Sequence, residues 1–235
     1  MVLLGTRFKR GERFGMSTRV DAQDAEANLR AIREARKQAD WVVFSFHCHE
    51  FGMAGRKSAP TDVELEESAQ FAIEFSRAAV DAGAHVVVGH GPHLTMGVEV
   101  YKNAPIFYSL GNFLFQNETI EAFPAEAYGR FGLGADAMPS EFLDARTGND
   151  TRGFPASREF WEGCMASCEF DVGVLSAVRL YPLDMGFGRP RGQRGRPMQA
   201  RGDVADHILS RIERLSKPYG TRFEREGDTM VLRLK

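Results

Sequence analysis

The sequence of 235 residues has few of the features that mark several large classes of protein. Its three cysteines are too few, and odd in number, for a disulfide framework. No stretch approaches the ~20 apolar residues of a transmembrane helix, and residues 2–4 are too short for a signal-peptide core. We therefore expect the chain as written to be soluble and cytoplasmic, and to be membrane-associated or exported if a longer parent carries an anchor or a signal.

The sequence also lacks an excess of charge of one sign and several enzyme signatures. Lys and Arg (30) nearly balance Asp and Glu (32), which argues against nucleic acid as a partner. No phosphate-binding Gly-rich loop is found, and no H-E-x-x-H motif, since His49-Glu50 is followed by Phe51, Gly52 and Met53, with Met53 where the second His would stand. Metallo-β-lactamase-like chains need an aspartate where Phe51 stands. Amidohydrolases need an eight-stranded barrel, for which this chain has too few strands.

Four of the six histidines follow two apolar runs. Residues 41–46 lead into His-Cys-His-Glu, and residues 86–88 lead into Gly-His-Gly-Pro-His. Both runs are typical of buried strands, and a helical pattern over residues 62–82 lies between them, closed by Gly83. A strand–helix–strand unit is a right-handed crossover with parallel strands. The carboxyl ends of both strands, where open α/β sheets hold their sites, should therefore meet.

The histidines themselves have two interpretations. In an extended chain alternate side chains share a face, so His47 and His49 should point one way and Cys48 the other. His90 and His93 lie on a turn stiffened by Gly and Pro. Imidazole is the commonest metal ligand in proteins, so the four rings are metal-site candidates. The alternative is that these histidines only stabilise turns through hydrogen bonds.

Several other polar residues also have more than one possible role. Glu50 is the carboxylate next to the first pair of histidines. Asn112 either contacts substrate or secures a turn, and Glu99 either serves the site or is an outward-facing strand residue. His85 opens a strand and His207 lies on a helical pattern, so we expect both to be structural.

The rest of the chain shows helical periodicity and strand patterns in alternation. We predict helices over residues 21–37 and 203–215, a hairpin from residues 98–101 and 106–108, paired strands over 160–171 and 173–181, and a final hairpin over 221–234. Residues 117–159 predict an irregular insertion or lid, because glycines, prolines and acids alternate with scattered aromatics.

Residues 186–202 form an arginine-rich loop that contains Arg191, Arg194 and Arg196. These arginines alternate with Gly, Pro and Gln, which predicts an exposed, non-helical segment. Guanidinium forks match the geometry of carboxylates and phosphates. The loop is therefore predicted either to bind an anionic polymer or substrate, or to pair with the chain's own acids.

The run FSFHCHEFG, followed after the helix by DAGAHVVVGHGPHLTMGVEVYKNAPIFYSLGNFLFQ, resembles the CapA (PGA_cap) family of capsule and poly-γ-glutamate biosynthesis proteins. The resemblance is strong over residues 41–117 and looser in RLYPLDMG, RGQRGRP and LSKPYGT. It implies an α/β fold: a partial calcineurin-like metallophosphoesterase β-sandwich flanked by helices, with C-terminal β-hairpins. It also implies a single domain over residues 1–235.

The resemblance implies metal-assisted hydrolysis, with His47, His90 and His93 holding a divalent metal ion (Mn, Zn or Fe). His49, Glu50 and Asn112 are then the catalytic candidates. Family members normally carry an aspartate-bearing first strand, an Asn-Glu segment and an Asn-Asn-His segment ahead of this region, and these are absent here. The chain therefore resembles either the C-terminal portion of a longer protein, with its own missing N-terminal half as an expected partner, or a truncated relative of the family.

The expected function is the synthesis or processing of an anionic capsular polymer, with a polymer or phosphoester substrate and with an incomplete metal site. Two alternatives remain at this point. One is a non-catalytic module that binds an anionic polymer, and the other is a phosphoesterase unrelated to capsule.

Overall fold

The computed structural model describes residues 2–3, 6–7, 18–52 and 66–234. The helices are α1 (Ala22–Arg36), α2 (Gln70–Asp81), α3 (Ala125–Arg130), α4 (Pro139–Thr147) and α5 (Gly202–Ser216). The strands are β1 (Val2–Leu3), β2 (Thr6–Arg7), β3 (Val43–His47), β4 (Val86–His90), β5 (Val98–Tyr101), β6 (Ala104–Phe107), β7 (Glu162–Asp171), β8 (Val174–Asp184), β9 (Met198–Gln199), β10 (Glu224–Glu226) and β11 (Thr229–Arg233). None of the described helices is long and apolar enough to cross a membrane.

The first main sheet contains the strands that end in histidine. Its order is β3-β4-β6-β5, with β3 parallel to β4, β4 parallel to β6, and β5 antiparallel to β6. The connection from β3 to β4 passes through α2, so the parallel crossover predicted from the sequence is confirmed. The hairpin of β5 and β6 is confirmed as well; its turn places Lys102 and Asn103 at positive φ, a conformation that hairpin turns favour.

The second sheet is antiparallel and comes from the C-terminal half of the chain. Its order is β10-β11-β8-β7, and β9 also pairs with β8. The long hairpin of β7 and β8 and the final hairpin of β10 and β11 lie where strand patterns predicted them. Val172-Gly173 forms the turn of the first hairpin, and Gly227-Asp228 forms the turn of the second.

The two sheets share a core, and helices cover both sides. Between the sheets, Val98 and Phe107 pack with Val178 and with Ile208 and Ile212 of α5. On the other face of the first sheet, a separate cluster joins it to α1 and α2; its members include Ile32, Val42, Ala79, Val87 and Ile106. These layers confirm the α/β class and are consistent with a partial metallophosphoesterase-like sandwich.

Three expectations need correction. The predicted helix over residues 62–82 begins only at Gln70 in the structure, and its first part, residues 62–65, lies outside the described residues. The segment 117–159 is more regular than predicted, since it contains α3 and α4, held by the ring of Phe142 against those of three other aromatic residues. Glu99 is not an outward-facing residue; it is buried, because Arg77 and the hydroxyl of Tyr108 both donate to its carboxylate.

Candidate functional site

The ends of β3 and β4 bring the two groups of histidines together. The parallel register places His47 directly beside His90. Their ring centroids are 5.0 Å apart, and the two Nδ1 atoms are separated by 2.9 Å. The two histidine clusters therefore meet at the carboxyl edge of the first sheet, because both strands run in the same direction and end at the same level.

A row of hydrogen bonds runs through this edge. Ser45 Oγ lies 2.8 Å from Nε2 of His90, and Nε2 of His47 lies 2.8 Å from Nε2 of His49. Each neutral imidazole has one N–H donor and one acceptor nitrogen, so Ser45, His90, His47 and His49 can form one continuous chain of donors and acceptors. Ser45 was not among the site residues predicted from the sequence. Its position two residues before His47, on the same strand face, was the available signal.

His93 is held in a different way, by Asn112. The Asn112 Nδ2 group donates to the carbonyl of Phe160 at 2.9 Å, which turns Oδ1 toward the ring. Oδ1 lies 2.8 Å from Nδ1 of His93 and can only accept, so the proton is on Nδ1. The lone pair of His93 is then on Nε2. A fixed tautomer of this kind is the usual state of a metal-ligating histidine.

The donor types fit one divalent ion of the zinc, iron or manganese class. Two imidazole nitrogens that each lie about 2.1 Å from one ion, at tetrahedral or right angles, are about 3.0–3.4 Å apart. The contacts of 2.8 Å and 2.9 Å at His47 approach this spacing, but they use its two different nitrogens. Within the described ranges no three residues of His, Cys, Asp or Glu are placed to hold an ion together.

The same residues do not fit a two-ion centre. Such a centre normally needs a carboxylate between the ions to offset their repulsion. In the part of the chain that the structure describes, the only histidine that pairs with a carboxylate is His207, which contacts Glu162 at 2.8 Å and lies outside this cluster. Glu50 is exposed beside the rings, and its backbone N–H donates to Cys48.

Cys48 does not belong to the row of rings. Its sulfur lies 3.3 Å from the backbone nitrogen of Glu50, and burial raises the pKa of the Cys48 thiol. The thiol therefore stays protonated near neutral pH, which argues against a nucleophilic role. His85 is also structural, since its Nδ1 accepts from the backbone N–H of Val42 at 3.0 Å.

Aromatic residues form a wall beside His93. Phe115 and Phe154 lie 6.2 Å and 5.5 Å from the imidazole, measured between ring centroids. The Trp161 indole N–H donates to the carbonyl of Phe154 and secures this wall. Phe154 belongs to the insertion over residues 117–159, so the insertion contributes to the site. These residues could not be predicted from the sequence, because aromatic residues scattered outside regular strands and helices carry no periodic signal.

The arginine-rich loop is paired largely with the chain's own acids. Arg191 contacts Asp144 at 2.7 Å and Asp150 at 2.8 Å. Arg194 contacts Glu118 at 2.6 Å and Asp150 at 3.0 Å, and stacks over the ring of Trp161. The prediction of an exposed segment is wrong for Arg194, whose side chain is 5% exposed because the insertion covers it. Arg196 is exposed. A role of these arginines in substrate binding stays a prediction.

Known proteins match this chain over the region that carries the histidines. Residues 7–117 match the family described as bacterial capsule synthesis protein PGA_cap. The uncharacterized protein y4sH of Sinorhizobium fredii is 34% identical over 245 residues, which cover all of this chain and 50% of that protein. The PGA biosynthesis protein CapA of Bacillus subtilis is 40% identical over 92 residues, 39% of this chain and 21% of that protein.

A third relative is the capsule biosynthesis protein CapA of Bacillus anthracis, 58% identical over 41 residues, which cover 17% of this chain and 10% of that protein. The chain spans about half the length of the Sinorhizobium protein that it matches from end to end. Over residues 7–117 the chain therefore matches the PGA_cap family of bacterial capsule synthesis proteins, and both CapA proteins are among its relatives.

Proposed function

We propose that this chain takes part in making or processing an anionic capsular polymer, and that it binds one divalent metal ion at the cluster of His47, His49, His90 and His93. The observation that carries the proposal is the meeting of imidazoles from two parallel strand ends, with contacts of 2.8–2.9 Å between rings. The names of the CapA relatives supply the link to capsule.

The chain's own residues would divide the work at such a site. His47, His90 and His93 would hold the ion, and Asn112 would keep the lone pair of His93 on Nε2. When bound, the ion would supply positive charge that polarises a phosphoryl or acyl oxygen of the substrate. His49, at the outer end of the row of rings, would exchange a proton with substrate or water.

Occupation of the site requires His47 to give up one of its two ring contacts. Its Nδ1 faces His90 and its Nε2 faces His49, so a lone pair reaches an ion only if one of these contacts is replaced. Because no carboxylate pairs with the cluster in the described part of the chain, we expect one ion rather than two. We also expect weak hydrolytic turnover from this chain alone.

The second candidate is a module that binds the polymer without catalysis. It is favoured by the lack, within the described ranges, of three donors placed to hold an ion together. In that case the row of rings would be a hydrogen-bonded strand end and no more.

Metal content separates the two candidates. The purified protein, stripped and then titrated with Mn²⁺, Zn²⁺ or Fe²⁺, should bind about one ion per chain. His47→Ala and His90→Ala should each lower the affinity at least about tenfold, because each removes a ligand. His207→Asn is the matched control, since that side chain lies outside the cluster and the amide nitrogen of Asn matches the position of Nδ1, which contacts Glu162.

Turnover is measured next, with a chromogenic phosphoester and added Mn²⁺. Little or no activity is expected. Robust activity that His90→Ala abolishes would show that other residues replace the missing carboxylate, and Glu50 would be the first to substitute. Absence of metal binding by the wild-type protein would refute the metal site and leave the binding module.

A further inference from the structure

A cavity of about 200 Å³ opens on the insertion, next to the aromatic wall of the candidate site. Its lining combines two arginines with apolar and amide groups; the residues that matter here are Asn117, Leu143, Arg146, Arg152, Phe154 and Pro155. This cavity lies outside the row of histidines. It also excludes the three arginines of the 186–202 loop that the sequence singled out.

The positive charges of this cavity lack the neutralisation that the loop arginines have. Arg191 and Arg194 each contact two carboxylates. In the described part of the chain, neither Arg146 nor Arg152 pairs with a carboxylate; the side chain of Arg152 contacts only backbone carbonyls. Two unneutralised guanidinium groups in one concave site attract anions strongly, because low-dielectric walls strengthen the field.

Arg152 is also held in position before any ligand arrives. Its Nε donates to the carbonyl of Arg146 at 3.1 Å, and its Nη2 donates to the carbonyl of Ala145 at 2.7 Å, at the C-terminal end of α4. Among the described residues its Nη1 has no hydrogen-bond partner, so that group can bind a ligand. A side chain fixed in this way loses little conformational entropy on binding, which favours affinity.

We propose that this cavity binds an anionic group, a carboxylate or a phosphate, carried on a body small enough to rest against Phe154, Pro155 and Leu143. Arg146 and Arg152 recognise the negative charge, and Asn117 offers a neutral hydrogen-bonding group at the rim. The site works without metal and is separate from the histidines.

Phe154 connects the cavity to the histidines. Its ring lines the cavity and lies 5.5 Å from the ring of His93, centroid to centroid. A substrate with several negative groups could therefore bind on both sides of this ring, with one group in the cavity and the next at the histidines. That extension to one shared substrate rests on the proposed function, whereas anion binding in the cavity does not.

The test is isothermal titration in metal-free buffer with two probes, triglutamate and inorganic tripolyphosphate, with triglutamine as the uncharged control. Wild type should bind at least one of the anions and not triglutamine. Arg146→Gln should weaken binding about tenfold, as expected for loss of one charge-assisted contact. Arg30→Gln, the same change on the exposed face of α1, should bind like wild type. Preference between the two probes shows whether carboxylate or phosphate is the ligand chemistry.

Arg146 is the primary variant because its side chain forms no hydrogen bond or ion pair among the described residues, whereas that of Arg152 bonds to the end of α4. His90→Ala should leave probe binding unchanged, so a failed metal site and a failed cavity are told apart. The proposal is overturned if wild type binds neither anion, if Arg146→Gln binds as tightly as wild type, or if His90→Ala abolishes binding, which would locate the anion at the histidines.

Discussion

At the scale of single residues, Asn112 decides the state of His93. Its amide is oriented by the carbonyl of Phe160, so its oxygen faces Nδ1 of His93. Asn112→Leu keeps the size and removes both contacts, and we expect metal affinity to fall about 10- to 100-fold, the range typical of groups that orient a ligand. Metal titration of the single variants and of the double variant with His93→Ala measures this.

The double variant provides the control for that prediction. If Asn112 acts through His93, Asn112→Leu should have no further effect once His93 is alanine. Equal metal affinity of wild type and Asn112→Leu would contradict the role. Additive losses would show that Asn112 acts on the metal by another route.

Asp150 sets a pH dependence of stability. Hydrogen bonds from Arg191, then from Arg194, lower the pKa of Asp150 from 3.8 to about 2, against the opposing effect of burial. A carboxyl with a depressed pKa in the folded state stabilises the fold above its ordinary pKa, and the contribution disappears as pH falls through about 2. Asp150→Asn should therefore lower the free energy of unfolding by about 1–2 kcal/mol at neutral pH, after allowance for solvent screening.

The measurement is urea unfolding of both proteins across pH. The difference between wild type and Asp150→Asn should be constant at neutral pH and should narrow as the medium becomes strongly acidic. A difference that does not change with pH would mean that the asparagine disturbs packing instead of removing a charge.

At the scale of elements, the insertion and the arginine-rich loop are joined by Arg194. Its buried side chain contacts Glu118 and Asp150 and stacks over Trp161. Arg194→Gln removes a buried charge, leaves Glu118 without its ion pair and leaves Asp150 with Arg191 alone, so we expect a loss of about 2–4 kcal/mol in the free energy of unfolding. Arg196→Gln, an exposed neighbour that has no carboxylate partner in the described structure, should change it by less than about 0.5 kcal/mol. Equal effects of the two changes in urea unfolding would contradict this assignment.

Helices and strands with a clear hydrophobic periodicity could be predicted from the sequence. Elements that are fixed by contacts between residues far apart in the chain could not. The β3–α2–β4 crossover and α5 follow from apolar runs and helical spacing. The start of α2 at Gln70 and the helices of the insertion were not predicted. Short segments that contain Pro and Gly have weak helix propensity, and their structure depends on tertiary packing. Alternation along β5 suggested an outward Glu99, but Arg77 and Tyr108, which lie 22 and 9 positions away along the chain, donate to its carboxylate and hold it inside.

The candidate site could likewise be predicted only in part. The histidines could be placed together because parallel strands end at one edge of the sheet. The pairing of Asn112 with His93, and the place of Phe154 beside that ring, join residues 19 and 61 positions apart along the chain without any repeating pattern. The charges of the arginine loop were visible in the sequence, but their neutralisation by acids of the insertion was not.

At the scale of the whole molecule, the two sheets meet directly behind the site. Gly111, next to Asn112, forms a bridge with Gly163 of β7, and the backbone N–H of Cys164 donates to the carbonyl of Leu110 at 2.8 Å. The backbones are so close that a Cβ on Gly163 would lie 2.1 Å from the carbonyl oxygen of Asn112. The position of Asn112, and through it that of His93, therefore depends on the contact between sheets.

Gly163→Ala tests this coupling between the sandwich and the site. Because the obstructing atom belongs to the backbone, the sheets must separate locally, and we expect a loss of about 2–4 kcal/mol in the free energy of unfolding. Metal affinity should fall in the same variant, since Asn112 is displaced. Gly129→Ala in α3, where an added Cβ meets nothing within 4 Å, is the matched control and should be neutral or slightly stabilising. If Gly163→Ala loses stability but keeps full metal affinity, the junction supports the fold alone, and the site is independent of it.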